Sequence, residues 1–545
     1  MADSKKATEP VTIEGGKISG IYEDNGQVAV FKGIPYARPP IEDLRWKPPL
    51  PVEQWDGVKA AKSFGPMALQ LGIDTKTFFN GMVEGQGWGP IRTFCTKLLF
   101  VLIPMPRQDE DCLYLNIRTP ALDKEAKLPV MLWIHGGAHT DGSGSDVPYN
   151  SNALVHKGVV VVTINYRLGL MGYFAHPELS RESEKGYSGN YGTMDQIAAL
   201  RWVQDNITAF GGDPDNVTIF GESAGGESVA HMMSSPLARG LFHKAIMQSP
   251  ATGMQMIHLK QPFLSYKPLE ELGKAFADRV VGPGENQLKD MRRIPAKKFY
   301  QILRQEMELN TFYPVIDGYV LEKSPFEIFF KGEQATVPLL VGSNADEGTL
   351  TYPMYKKLLS DLRNVAVELG KMPDLLREEF GEDADALFDL YPGLENGKEE
   401  AESSMYGDSI FGSKARFYAV QASKSGQPVY LYFFSRTPPS PKQTAGAFHA
   451  SEVPFVHGKS NIILPLYEKD LELSRIMIDY WTQFAKTGNP NISPHPKWPL
   501  FDFEDQRYME LGAQTGEAPI ARAAKYDILD RHLMRQIEKM KELRR

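Results

Sequence analysis

A serine held between glycines is the first feature of this chain with the makings of chemistry. The run Val217-Thr218-Ile219-Phe220-Gly221-Glu222-Ser223-Ala224-Gly225-Gly226 carries G-x-S-x-G directly after a β-branched and aromatic stretch, and a helical stretch through Met232 follows. A strand that turns sharply into a helix lifts the residue at the turn out of the chain, and side chains two residues either side would collide. Glycines at 221 and 225 remove that collision. Ser223 Oγ is then presented at a helix N-terminus, where backbone N–H groups and the helix dipole favour a developing negative charge. Nucleophilic attack on a carbonyl, through a tetrahedral oxyanion, is the chemistry this arrangement suits.

A second motif supplies what such an oxyanion needs. His135-Gly136-Gly137-Ala138 follows the apolar residues 130–134, at the position where α/β hydrolases carry an oxyanion loop. Small residues let the backbone come close, and the expected donors are the N–H groups of Gly137, Ala138 and Ala224. A serine nucleophile also needs a base and an acid, in the chain order serine, acid, histidine. His449, His457, His495 and His532 remain as bases. His449 lies in a small-residue loop after the strand-like residues 429–434, where this kind of fold displays reactive side chains. His457 is the runner-up. His495, between two prolines, and His532, in a charged C-terminal helix, read as surface residues. For the acid, Asp346 and Glu347 both follow the apolar residues 339–341, and spacing leaves the choice open.

The elements that must position these groups are those of a mostly parallel sheet covered by helices. Buried strands are expected at residues 130–134, 159–164, 217–220, 339–341 and 429–434. Between the second and third, Ile197, Leu200, Val203 and Ile207 recur at helical spacing, bounded by Gly192 and by Gly211-Gly212-Asp213-Pro214. Residues 66–107 read as irregular, and 255–335 and 355–415 as helical; all three are expected to form cap insertions on one domain spanning 1–545. The net charge of −8 excludes a polyanionic partner such as nucleic acid. The apolar run at residues 98–106 is too short to span a bilayer. Two cysteines and a polar N-terminus without the apolar core of a signal peptide point to a cytoplasmic protein. The basic, amphipathic segment from Tyr526 reads as a solvated surface helix, with a homodimer contact as the alternative to a monomer.

The motifs together resemble the type-B carboxylesterases, the family of cholinesterases and bacterial para-nitrobenzyl esterases. Matching segments run in family order through residues 31–37, 110–116, the His135 loop, 165–169, the Ser223 elbow, 344–348, the His449 loop and 484–490. The resemblance implies the α/β-hydrolase fold and a small-molecule carboxylic ester as substrate. It also implies a Ser223–Glu347–His449 triad with Ser228 supporting the acid. Glu222 is typical of the family and lies near the pocket, but its place beside the nucleophile turns it away from Oγ, so it is not assigned as the base. No metal or organic cofactor is required, and the chain has no H-E-x-x-H, C-x-x-C or Walker A pattern.

Departures from the pattern sharpen the expectation. Ala68 stands where secreted members carry a cysteine partner for Cys112, so that thiol is expected to stay free, partly buried. Leu102 replaces the choline-binding tryptophan, which removes a cation–π face. His139 stands where an aromatic residue is usual, either polarising the pocket mouth or facing solvent. Residues 98–106 and Phe312-Tyr313 are expected to line or cover an apolar acyl pocket. Two alternatives remain: a catalytically inactive adhesion-type relative, and a hydrolase of another acyl substrate such as an amide, a lactone or a toxin side-chain ester.

Overall fold

Short apolar runs alternating with helical stretches become one twisted sheet with both faces covered, as continuous apolar strands require. The computed structural model describes residues 6–102, 106–251, 257–263, 267–306, 312–363, 372–437 and 442–543. The sheet comprises β1 (Ile21–Glu23), β2 (Val28–Pro35), β3 (Tyr114–Thr119), β4 (Leu128–Ile134), β5 (Val160–Ile164), β6 (Gly212–Glu222), β7 (Lys244–Gln248), β8 (Leu339–Asn344), β9 (Val429–Phe434), β10 (Arg507–Leu511) and β11 (Thr515–Pro519). Their spatial order is β11-β10-β9-β8-β7-β6-β4-β5-β3-β2-β1. From β10 to β5 every neighbouring pair is parallel, while β11, β3, β2 and β1 add antiparallel edges. The α/β-hydrolase fold is thus present, and each expected strand coincides with an observed one, residues 159–164 starting one residue before Val160–Ile164.

Alternation along the strands divides the core. Val130, Leu132 and Ile134 of β4 face one apolar layer, and Met131 and Trp133 face the other. The first layer is completed by helix α3 (Tyr191–Asn206), through Ile197, Leu200 and Val203, and by α4 (Ala224–Ser234), through Val229 and Met232. Helix α5 (Gly348–Arg363) leaves β8, and α6 (Glu468–Thr487) closes the second layer with Met477, Trp481 and Phe484.

Three expectations change here. Residues 66–107 contain two 13-residue helices, α1 (Ile73–Gly85) and α2 (Pro90–Leu102), where an irregular segment was expected. The glycines that suggested irregularity serve packing instead. A Cβ on Gly81 would lie 3.2 Å from Leu350 Cδ2 of α5, and one on Gly85 would lie 2.8 Å from the Ala445 Cβ. Of the residues expected over the acyl pocket, one is buried elsewhere and others face outward. Leu98, Leu99 and Leu102 are exposed, whereas Phe312 is buried in the core against Phe174 and Phe276; residues 103–105 lie outside the described residues. The C-terminal helix Ala523–Leu543 is not simply solvated: Tyr526, Leu529, Leu533, Ile537 and Met540, spaced as one helical stripe, are buried.

Candidate active site

Strand β6 ends at Glu222 and α4 begins at Ala224, so Ser223 alone makes the turn, with φ 58° and ψ −126°. The glycines act as expected. A Cβ on Gly225 would sit 2.1 Å from the Ile134 carbonyl oxygen, and one on Gly221 2.5 Å from the Gly225 carbonyl carbon. The Ser223 N–H donates to the Gln248 carbonyl of β7, and its carbonyl accepts the first helical bond from the Glu227 N–H. Ser223 is half-buried while Glu222, Glu347 and His449 are buried, so the hydroxyl is the accessible member of the group.

The oxyanion loop leaves β4 next to the elbow. A Cβ on Gly136 would meet the Glu222 carbonyl at 2.6 Å and Ser223 Cβ at 3.1 Å, which fixes how close the loop runs. Gly137 and Ala138 both have positive φ, 106° and 53°. The Gly137 carbonyl accepts from the Thr140 and Asp141 N–H groups. Across from this loop, the Ala224 N–H in the first turn of α4 lacks an intrahelical acceptor.

Glu347 and His449 leave neighbouring parallel strands, β8 and β9, and meet beside the elbow. His449 Nδ1 donates to Glu347 Oε2 at 2.6 Å; Glu347 Oε1 accepts from the Asn344 N–H at 2.7 Å and from Ser249 Oγ at 2.5 Å. The choice between Asp346 and Glu347 is thereby made by geometry. Asp346 accepts from the Ala447 N–H and so shapes the loop that carries His449. Ser228 does not support the acid: its Oγ accepts from Gln196 on α3, because it lies on the face of α4 turned into the core. Ser249, at the end of β7, takes that place.

Glu222 lies closer to the chemistry than its position beside Ser223 suggested. Its Oε1 is 3.2 Å from His449 Nε2. Burial raises the Glu222 carboxyl to about 8, against the lowering influence of His449. Burial alone would lower the His449 imidazole, but Glu222 and Glu347 outweigh it and hold the ring at about 9. A further carboxyl, Glu452, accepts from Gln248 and Asn344, and burial raises it. Two aromatic rings flank the base: Phe411, in a π-turn at Asp408–Gly412, at 4.3 Å between centroids, and Phe78 of the Ile73–Gly85 helix at 6.3 Å. The other histidines are elsewhere. His457 is buried against Trp133 and Phe220, where burial lowers it to about 3. His495 pairs with Asp479, and His532 stacks on Phe380. His139 is neither at a pocket mouth nor in solvent; it is buried against Tyr173, Glu227 and His231.

Sequence reasoning missed Ser249, Glu452, Phe78 and Phe411. For Ser249 a signal existed, since it stands at the C-terminal end of a strand beside the elbow, where this architecture gathers functional groups. The aromatic flanks had no local signal.

Comparison with known proteins agrees with this geometry. The model of the carboxylesterase family matches residues 7–529. The chain belongs to the carboxylesterase family. It is a serine carboxylesterase, a hydrolase of carboxylic esters. It is 35% identical over 513 residues to the fumonisin B1 esterase of Sphingopyxis macrogoltabida, covering 92% of this chain and 86% of that one. It is 35% identical over 518 residues to the para-nitrobenzyl esterase of Bacillus subtilis (strain 168), covering 92% and 95%. Among solved structures, a PNB esterase superposes with a TM-score of 0.77 at 32% identity, covering 96% of this carboxylesterase and 99% of the other chain. A carboxylesterase of Geobacillus stearothermophilus gives 0.75 at 30%, covering 96% and 100%. Both cysteines of this carboxylesterase are free; Cys112 is fully buried, not partly, and burial raises its thiol. No described helix is long and apolar enough to cross a membrane.

Proposed function

We propose that this carboxylesterase works through an acyl-enzyme on Ser223. The observation that carries the reading is the 2.6 Å contact from His449 Nδ1 to Glu347, beside a serine held at positive φ on an elbow. With Nδ1 donating to Glu347, the neutral imidazole has its lone pair at Nε2. His449 takes the Ser223 proton as Oγ bonds to the ester carbonyl carbon, and the carbonyl electron pair moves onto oxygen. The N–H groups of Gly137, Ala138 and Ala224 receive that oxyanion. His449 gives its proton to the departing alcohol as the C–O bond breaks. A water, deprotonated by the same ring, then releases the acid and restores Ser223.

The apolar rings of Phe78 and Phe411 beside His449 favour esters with apolar groups at that side of the site. Likeness to a fumonisin B1 esterase favours fumonisin B1 as a second substrate to assay. Residence in the cytoplasm, as a monomer or homodimer, is part of the same proposal; fractionation and sedimentation report on each.

Hydrolysis of para-nitrophenyl butyrate by the wild type and by Ser223→Ala, with EDTA present, tests the mechanism. Activity that the folded variant lacks is expected; equal rates in the two would overturn the role of Ser223.

A further inference from the structure

Behind the oxyanion loop lies a buried cluster that the acyl transfer leaves unused. Glu227, in the first turn of α4, has Oε2 3.4 Å from His139 Nε2 and Oε1 3.8 Å from His231 Nε2. The two imidazoles stack with centroids 5.8 Å apart, and Tyr173 Oη is 3.4 Å from His139 Nδ1. Glu227, His139 and His231 are each at least nine-tenths buried. Burial lowers His231 to about 4, so that ring is neutral at pH 7, and a neutral imidazole still offers one N–H to a carboxylate.

The place of this cluster in the chain gives it a task. His139 directly follows Ala138, and both are at left-handed φ, 57° and 53°. Residues with a Cβ stay in that region only where their surroundings hold them. Backbone bonds hold the loop to itself, through the Gly137 carbonyl, and to Gly169, whose N–H donates to the His139 carbonyl. Neither set reaches α4. The His139–Glu227 contact does, and Glu227 lies one turn beyond Ser223.

We infer that Glu227 and His139 are a positioning pair that sets the distance between the two halves of the oxyanion hole. One half is the loop, with the Gly137 and Ala138 N–H groups, and the other is the Ala224 N–H on α4. The inference rests on the reading of those groups as oxyanion donors given above. Donors must lie about 2.7–3.1 Å from the oxyanion and gain most of their strength in the transition state, so a displaced loop costs kcat and leaves KM largely unchanged.

Glu227→Ala is the first test, with kcat and KM measured on para-nitrophenyl butyrate. The affinity of a trifluoromethyl ketone, whose adduct places an oxyanion in the hole, is measured beside them. We expect kcat and ketone affinity to fall together by about 10- to 100-fold, less than or comparable to loss of a whole donor, with KM within about twofold. Glu227→Gln, which keeps a polar side chain of the same shape against His139, should recover most of both. The double variant with His139→Asn should be no worse than the poorer single variant, because the two remove one shared contact. Should Glu227→Ala not fold, His139→Asn alone carries the test, since asparagine tolerates left-handed φ. Unchanged kcat, a kcat loss without loss of ketone affinity, or additive losses would overturn the inference. An active wild type that depends on Ser223 but ignores both substitutions sinks the pair alone; a wild type indifferent to Ser223 removes the mechanism beneath it as well.

Discussion

The floor of the site and the helical cap above it are built to different tolerances. On the floor, Ile134, Trp133 and Phe220 are inaccessible to solvent, and added Cβ atoms at Gly221 and Gly225 would meet backbone within 2.1–2.6 Å. In the cap, the Pro90–Leu102 helix turns Ile91 (80% exposed), Phe94 (66%) and Leu102 (67%) to the surface. Interiors packed like crystals fix atoms to tenths of an ångström, which acyl transfer needs and surface helices do not provide. The triad and the oxyanion loop accordingly leave the ends of buried strands. The cap reaches the chemistry at its inner edge, where Phe78 and Met82 pack against Leu350 and Phe448, and where Phe411 lies beside His449.

If the floor carries the chemistry, the largest loss should come from its buried acid. Glu347→Gln keeps the shape but replaces the acceptor of His449 Nδ1, favouring the wrong tautomer and leaving the imidazolium uncompensated. A comparable change in a serine triad lowers kcat by about 10⁴, and a loss of about 10³ or more is expected here in single-turnover assays. A variant with near wild-type kcat would break the assignment of the acid. Ser249→Ala is milder. It removes one of two donors to Glu347 Oε1 while the Asn344 N–H stays. A hydrogen bond to a buried charge is worth about 1.5–3 kcal/mol, so kcat should fall about 10- to 100-fold. Ser228→Ala, whose hydroxyl meets Gln196 instead, should leave kcat close to wild type. The reverse pattern would restore Ser228 as the support.

What the sequence discloses follows the same division. The elbow was legible because its geometry is local: a strand, one strained residue and the glycines that make room. The His449 loop was legible from small residues after a strand, and the acid only as a pair, Asp346 or Glu347. Choosing between them takes the register of β8 against β9, since Asp346 faces Ala447 while Glu347 faces His449. Glu452 was not legible, because its partners come from other strands and loops, and Ser249 had no signal beyond its place at the end of a strand beside the elbow. The stripe Tyr526, Leu529, Leu533, Ile537 and Met540 was readable as an apolar face, yet the surrounding Lys and Arg suggested a solvated helix.

The protonation of the base offers a finer cut. Glu222 and Glu347 together hold His449 at about 9, and the reaction needs the neutral ring. A base raised by carboxylates is protonated below its pKa and becomes active as pH rises through it. The acidic limb of kcat/KM should therefore lie above the ordinary histidine range, and Glu222→Gln, which removes one of the two carboxylates, should move it to lower pH. Profiles of the two enzymes measured at constant ionic strength decide this. A limb that stays in place would mean that Glu222 exerts no influence on the base.

The smallest effect is expected on the outer cap, and it tests the comparison from its other side. Ile91→Gln and Phe94→Gln replace apolar side chains that are largely exposed. Surface changes of this kind usually shift stability by no more than about 0.5 kcal/mol, so thermal midpoints and kcat on short esters should match wild type. Phe78→Ala, on the inner edge beside His449, should instead change the preference among acyl chain lengths, because its ring contributes apolar surface next to the base. A fall in kcat with either outer variant, at unchanged stability, would show that the cap positions reacting groups and would end the separation of floor from cap.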